Sequence, residues 1–232
     1  FRSKTVDRIL NADIYKKKEV RDNFNELTLK FKGNYRIVFR AYNEGIAYRF
    51  ESDIKGDIIV ENELSEFNFL HDAKAYIPYV RDNVATLESQ FGNPFENIYK
   101  YENISQWDTS RIAFLPLLVE GRNGKKLCIL EADLLNYPGM YLYNGDGSNT
   151  LKSVFAPYPK EVEQGGYLNL QGLVKSREPY IAKVSGVTSF PWRIMVVSEN
   201  DKELADNDMV FKLVTRPQGD FSWVKPGKAA WE

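Results

Sequence analysis

Alternation of apolar and polar positions dominates the chain. Leu27, Leu29 and Phe31 alternate with Thr28, Lys30 and Lys32, the period of a half-buried strand. A Gly33-Asn34 turn leads into a second strand over 35–42, and Asn43-Glu44-Gly45 leads into a third over 46–51. Runs joined by such short polar turns predict an antiparallel meander. Further strands are predicted over 57–61, 66–70, 75–80, 98–102, 112–120, 126–131, 139–143, 151–156, 180–184 and 192–197. Gly121-Arg122-Asn123-Gly124 marks a hairpin turn between two of them. Helical signals are thin. There is a weak periodicity over 7–20, and one short helix is predicted over 198–204, where capping residues precede Asp201 and Glu203. The expected fold is all-β: a large antiparallel β-sandwich (a supersandwich) of two packed sheets, with under about a fifth of residues in helix.

Composition supports a folded domain. The 232 residues are 43% hydrophobic and 14% aromatic, enough to bury a core for one large β domain or two small ones. Lys and Arg number 31 against 32 Asp and Glu, a net charge of -1, which argues against a nucleic-acid partner. No apolar run reaches the length of a membrane helix, so no membrane partner is expected; the longest, 112–119, contains Pro116. Phe1-Arg2-Ser3-Lys4 carries neither an initiator Met nor a signal peptide, as expected of a piece of a longer protein.

Several chemistries drop out at once. With His71 the only histidine, no Ser-His-Asp or Cys-His arrangement forms without it, and no two-His metal site forms within the chain. Cys128 is the only cysteine, so there is no internal disulfide and no cysteine zinc site. Its apolar neighbours make it a small buried hydrophobe. The aromatics are spread over all the strands, which suits a core, although a sugar-stacking face also uses them.

Four stretches could carry chemistry. In Glu131-Ala132-Asp133 at a strand end, a continuing strand would point both carboxylates to one side. Two hard oxygen donors could contribute to a calcium site, but calcium takes about six to eight oxygens, so the pair is insufficient alone. The alternative is two solvated carboxylates before the Tyr137-Pro138-Gly139 turn. Asn144-Gly145-Asp146-Gly147-Ser148-Asn149 lacks the downstream Glu of a calcium loop and reads as a mobile hairpin turn. Asn103-Ile104-Ser105 fits a glycosylation sequon, a pattern frequent by chance. The aromatic closing stretch, with Trp192 upstream and Trp223 and Trp231 near the end, suggests a surface that packs on another domain.

Taken together, these motifs resemble the N-terminal domain of glycoside hydrolase family 97, bacterial α-glucosidases and α-galactosidases. The resemblance rests on Tyr42-Asn43-Glu44-Gly45-Ile46-Ala47-Tyr48-Arg49-Phe50, on Glu131-Ala132-Asp133-Leu134 with Tyr137-Pro138-Gly139-Met140, on Phe190-Pro191-Trp192-Arg193-Ile194-Met195-Val196-Val197, and on Ser222-Trp223-Val224-Lys225-Pro226-Gly227-Lys228. Arg21-Asp22-Asn23-Phe24-Asn25-Glu26 adds weaker support. It implies an N-terminal β-sandwich over residues 1–222, lacking its first strands, and the start of a linker over 223–232 into a (β/α)8 catalytic barrel. The catalytic carboxylates would lie in that barrel and none in this chain. The resemblance also implies an active-site calcium to which the N-terminal domain lends one Glu. Glu131 matches that position, with Asp133 as a weaker candidate or a supporting group. Trp192, Trp223 and Trp231 would face the neighbouring domain, and an exported, periplasmic setting is implied.

The function expected is therefore that of an accessory domain of a calcium-dependent α-glycosidase acting on oligosaccharides. An independent carbohydrate-binding module and an adhesive sandwich without a ligand are the competing readings, and fold alone does not separate them. The chain alone is expected to be inactive and to bind calcium weakly or not at all. Glu131→Gln is expected to leave its stability almost unchanged, on the premise that the carboxylate is exposed there.

Overall fold

The computed structural model describes residues 1–12, 14–80, 86–92, 95–225 and 227–228. Half of the chain is strand and 11% is helix, in line with the all-β expectation. The strands are β1 (Arg2–Asn11), β2 (Glu19–Phe31), β3 (Tyr35–Tyr42), β4 (Gly45–Val60), β5 (Glu66–Asn68), β6 (Lys74–Ile77), β7 (Lys100–Asn103) and β8 (Leu117–Glu120). They continue with β9 (Lys126–Ala132), β10 (Met140–Tyr143), β11 (Thr150–Phe155), β12 (Pro159–Gly165), β13 (Gln171–Arg177), β14 (Ala182–Ser189) and β15 (Trp192–Ser198). The helices α1 (Leu87–Gln90), α2 (Asp201–Ala205) and α3 (Met209–Leu213) are all short.

One sheet holds ten strands in the order β1-β2-β3-β4-β15-β9-β8-β6-β7, with β14 also on β4. The second layer is smaller than the two large sheets expected: it has three strands, β10-β11-β5. Strands β12 and β13 form a separate ribbon. Strand β4 pairs β3 along one edge and divides the other between two partners, β15 over Gly45 to Tyr48 and β14 over Glu51 to Val60. The break between those partners falls at Pro191, which has no N–H to give to a ladder. Gly186 sits at a register shift of β14, where a Cβ would lie 2.1 Å from the Ile54 carbonyl oxygen.

The weak helical pattern over 7–20 is instead the end of β1, a turn and the start of β2, paired from Arg2↔Thr28 to Asn11↔Glu19. Edge strand β1 is solvated on both faces, so it carries no alternating apolar signature. Ladder hydrogen bonds and cross-strand ion pairs such as Arg8–Asp22, at 2.8 Å, hold it. The ribbon β12–β13 escapes the hydrophobic pattern for the same reason. The predicted helix near 198–204 forms as α2, capped by the Asn200 side chain on the Glu203 N–H.

Side-chain alternation along β15 divides the core. Trp192, Ile194 and Val196 join Phe24, Val38, Ala47 and Cys128 on the outer face, covered by Met209 and Leu213 of α3. Burial pushes the Cys128 thiol up to about 11, as befits an inert core residue. On the inner face, Phe67, Leu142, Leu151 and Phe155 of the small sheet pack on Ile77, Leu117, Ile129 and Ala182 of the large one. Arg193 points to this inner side, into the seam between the two layers.

Candidate functional site

Arg193 lies in register with Glu131 of β9 and with Tyr48 of β4, so the three side chains share the inner face in one row. The guanidinium is 1% exposed. It grips Glu63 with a two-pronged fork: Nε donates to Oε1 and Nη2 to Oε2, both at 2.7 Å. The remaining nitrogen, Nη1, donates to Glu131 Oε2 at 2.5 Å. Glu63 comes from the loop before β5, which is pinned by Ser153 Oγ donating to the Glu63 carbonyl at 3.1 Å. Ser65 Oγ donates to Glu63 Oε1 at 3.1 Å and lies 2.9 Å from the Tyr48 hydroxyl.

The Glu131 carboxylate also accepts the Met140 N–H, at 3.1 and 3.2 Å. A Cβ on Gly139 would sit 3.3 Å from Oε1, so the Tyr-Pro-Gly turn leaves a cradle that a larger residue would crowd. The side chain is 14% exposed. Burial raises its pKa, against the lowering effects of Arg193 and the Met140 N–H. The Glu131 carboxylate borders a cleft of 600 Å³ whose walls include Phe114, Tyr137, Tyr141, Tyr158 and Arg177. The expectation of an exposed, idle carboxylate is thus overturned: in this chain Glu131 is largely buried and already bonded.

Asp133 does not join it. Strand β9 stops at Ala132, and Asp133 takes a left-handed backbone (φ 62), which undoes the same-side geometry expected of a continuing strand. Its carboxylate accepts the Thr215 N–H at 2.9 Å and hydroxyl at 2.8 Å, with Arg49 of the outer face 3.7 Å away. Asp133 therefore fastens the segment after α3 to the sheet. Trp192 is also placed differently from the expected interface role: it is 1% exposed, beneath the Arg40 and Arg49 guanidiniums at 4.8 and 4.5 Å. Trp223 is 75% exposed, and Trp231 lies outside the described residues.

The other sequence candidates carry ordinary structural roles. Residues 144–149 connect β10 and β11, with Asn144 Oδ1 accepting the Gly147 N–H at 3.0 Å. Asn103 and Ser105 both donate to Asp72. His71 is exposed. Among the described residues, no three or more His, Cys, Asp or Glu side chains converge as a metal site, and no helix is long and apolar enough to cross a membrane. Sequence reasoning missed Glu63 and Arg193. Arg193 was visible as the one charge in the apolar run Trp192 to Val197, an intruder that needs a buried partner.

The molecule is thus an antiparallel β-sandwich domain with a carboxylate–guanidinium cluster opening on an aromatic cleft. The family described as "Glycosyl-hydrolase 97 N-terminal" matches residues 1–215, and the chain belongs to it. A retaining alpha-galactosidase of Bacteroides thetaiotaomicron is 46% identical over 231 residues, 99% of this chain. The chain spans 35% of that relative's length. A glycoside hydrolase family 97 enzyme from Pseudoalteromonas sp. strain K8, in complex with acarbose, superposes with a TM-score of 0.71 at 21% identity, over 97% of this chain and 31% of that one. A beta-arabinopyranosidase superposes with a TM-score of 0.64 at 18% identity, over 86% of this chain and 31% of that one.

Proposed function

We propose that this chain is the N-terminal domain of a calcium-dependent α-glycosidase, that it buttresses a downstream (β/α)8 barrel, and that it lends Glu131 to the calcium at the barrel's active site. The observation that carries the reading is the charge balance of the cluster. One buried guanidinium faces two carboxylates, which leaves an excess of one negative charge beside an open cleft. The donor set suits a hard cation, since it offers carboxylate oxygen from a cradle kept open at Gly139. Glu131 is the residue of this chain that would hold the ion, and Arg193 and the Met140 N–H set its direction. Bound calcium would supply positive charge to orient and polarise the glycoside. The remaining ligands and the pair of carboxyl groups that cleave the bond belong to the barrel.

The 46% relative supports an α-galactoside as the substrate of the whole protein. Export to the periplasm belongs to the same reading and is checked by cell fractionation. The test of function uses the full-length protein. We expect turnover of an aryl α-galactoside above that of the α-glucoside, inhibition by a chelator, and impaired turnover in Glu131→Gln that excess calcium partly restores. Normal turnover and normal chelator sensitivity in that variant would overturn the role of Glu131.

A second reading, an independent carbohydrate-binding face, draws on Phe31, Tyr35 and Phe39. These are exposed by 43, 41 and 38% on the inner side of β2 and β3. Calorimetric titration of the 232-residue chain with α-galacto-oligosaccharides decides it, since that reading requires saturable heat that Tyr35→Ala removes.

A further inference from the structure

We propose that Glu63 and Arg193 act together as a positioning pair for Glu131, with Glu63 serving to neutralise Arg193 so that Glu131 stays anionic while held in place. The inference rests on the reading of Glu131 as a calcium ligand. It concerns two residues that make no contact with the ion themselves.

The guanidinium divides its donors unequally. Nε and Nη2 both go to Glu63, in the planar fork that matches a carboxylate best. Glu131 receives a single bond, from Nη1 to Oε2. Arg193 is thus committed to Glu63, and Glu131 borrows one hydrogen bond from its edge. The loop carrying Glu63 is itself fixed, through Ser65 and Ser153. The fork to Glu63 uses nitrogens other than the one that Glu131 receives.

Charge completes the argument. A lone Arg193 opposite Glu131 would form a neutral pair with no net attraction for an incoming cation. With Glu63 present, the guanidinium charge is already matched, and the net charge of the three groups is negative by one. An arginine beside a metal ligand would ordinarily compete with the metal; here a second carboxylate offsets that competition and leaves the orienting hydrogen bond. Groups that orient a metal ligand from behind typically change affinity by about 10- to 100-fold when removed.

The experiment uses the full-length protein and reads the calcium dissociation constant by calorimetry, with the melting temperature of the metal-free protein beside it. Glu63→Gln keeps the shape and removes the charge. We expect about 10-fold or greater weakening of calcium binding, with Glu131 intact. The double variant Glu63→Gln with Arg193→Met removes the whole pair and restores the negative charge. It should bind calcium more tightly than Glu63→Gln alone, a reversal that a merely structural role would not produce. Glu131→Gln is measured alongside. If Glu131→Gln weakens calcium and both Glu63 variants bind as wild type does, the positioning pair is overturned and the ligand reading stands. Should Glu131→Gln itself leave calcium unaffected, both fall. If Glu63→Gln does not fold, the double variant and Arg193→Lys carry the test. Arg193→Lys cannot serve two carboxylates in one plane and should weaken calcium while the metal-free protein stays folded; wild-type affinity in both would overturn the proposal.

Discussion

Two charge clusters sit on opposite faces of the same sheet, built from the same residue types. On the outer face, Arg36 and Arg49 share Glu51, at 2.7 and 2.5 Å, and Arg36 also pairs with Asp53. Beside them, Arg40 and Lys4 share Glu26 at 2.9 and 3.0 Å. There, counting Asp133 beside Arg49, four cations meet four carboxylates, and the three arginines stay 16–26% exposed. On the inner face, a single arginine, itself only 1% exposed, serves both Glu63 and Glu131. A balanced ladder with partly solvated cations supports strand pairing. An unbalanced cluster around a buried cation is expensive to keep, and its excess charge has a direction. The stoichiometry of charges, more than their number, separates scaffold from site.

That contrast can be broken from either side. The largest effect is expected for Arg193→Met in the 232-residue chain. Two buried carboxylates are left facing each other without a cation, so unfolding in urea should show a loss of about 3–5 kcal/mol. Trp192→Ala should cost about as much, ~3–5 kcal/mol, because it empties the core beneath the outer ladder. Glu51→Gln should cost about 1–2 kcal/mol, since its two arginines stay partly solvated, and the loss should shrink in high salt. An equal loss at all salt concentrations would erase the difference between the faces. Smallest is Asp7→Asn, which removes an exposed cross-strand pair to Arg21 and should leave the denaturation midpoint where it is.

A pH experiment sharpens the comparison. Burial raises the folded-state pKa of Glu131, so the unfolded chain gives up this proton first as pH rises. Stability from this group is full below the ordinary Glu value. It declines as pH climbs from there through the raised folded value. Urea titrations without calcium should therefore show the advantage of wild type over Glu131→Gln to be smaller at pH 7 than at pH 4. A constant difference would mean that the carboxylate is solvated after all.

Most of the large sheet was legible because its strands bury apolar residues on one face or on both. Leu27 to Phe31 announces itself by alternation, and Lys126 to Ala132 by a continuous apolar run, since its two faces pack on different cores. Strands β1, β12 and β13 were silent because both their faces are wet, and backbone pairing leaves no trace in a hydrophobic pattern. Glu131 emerged through a motif. Its environment did not, because Glu63 and Arg193 lie 68 and 62 residues away in sequence and meet it only through sheet order. Asp133 misled because a single left-handed residue ends the period-two rule on which the same-side inference stood.

The position of β15 has a consequence for how the molecule is made. The last strand in sequence lies between β4 and β9, in the interior of the sheet. A chain emerging from the ribosome can zip β1 through β4 into one meander and pair β6, β8 and β9 into another, because those contacts are nearby in sequence. In the hydrogen-bonded ladder, residues 192–198 are what joins the two halves. Arg193 rides on that strand, so the grip on Glu63 and Glu131 closes in the same event that completes the sheet. Assembly of the cluster is thereby tied to a long-range pairing, and a nascent chain without that strand would lack its guanidinium altogether.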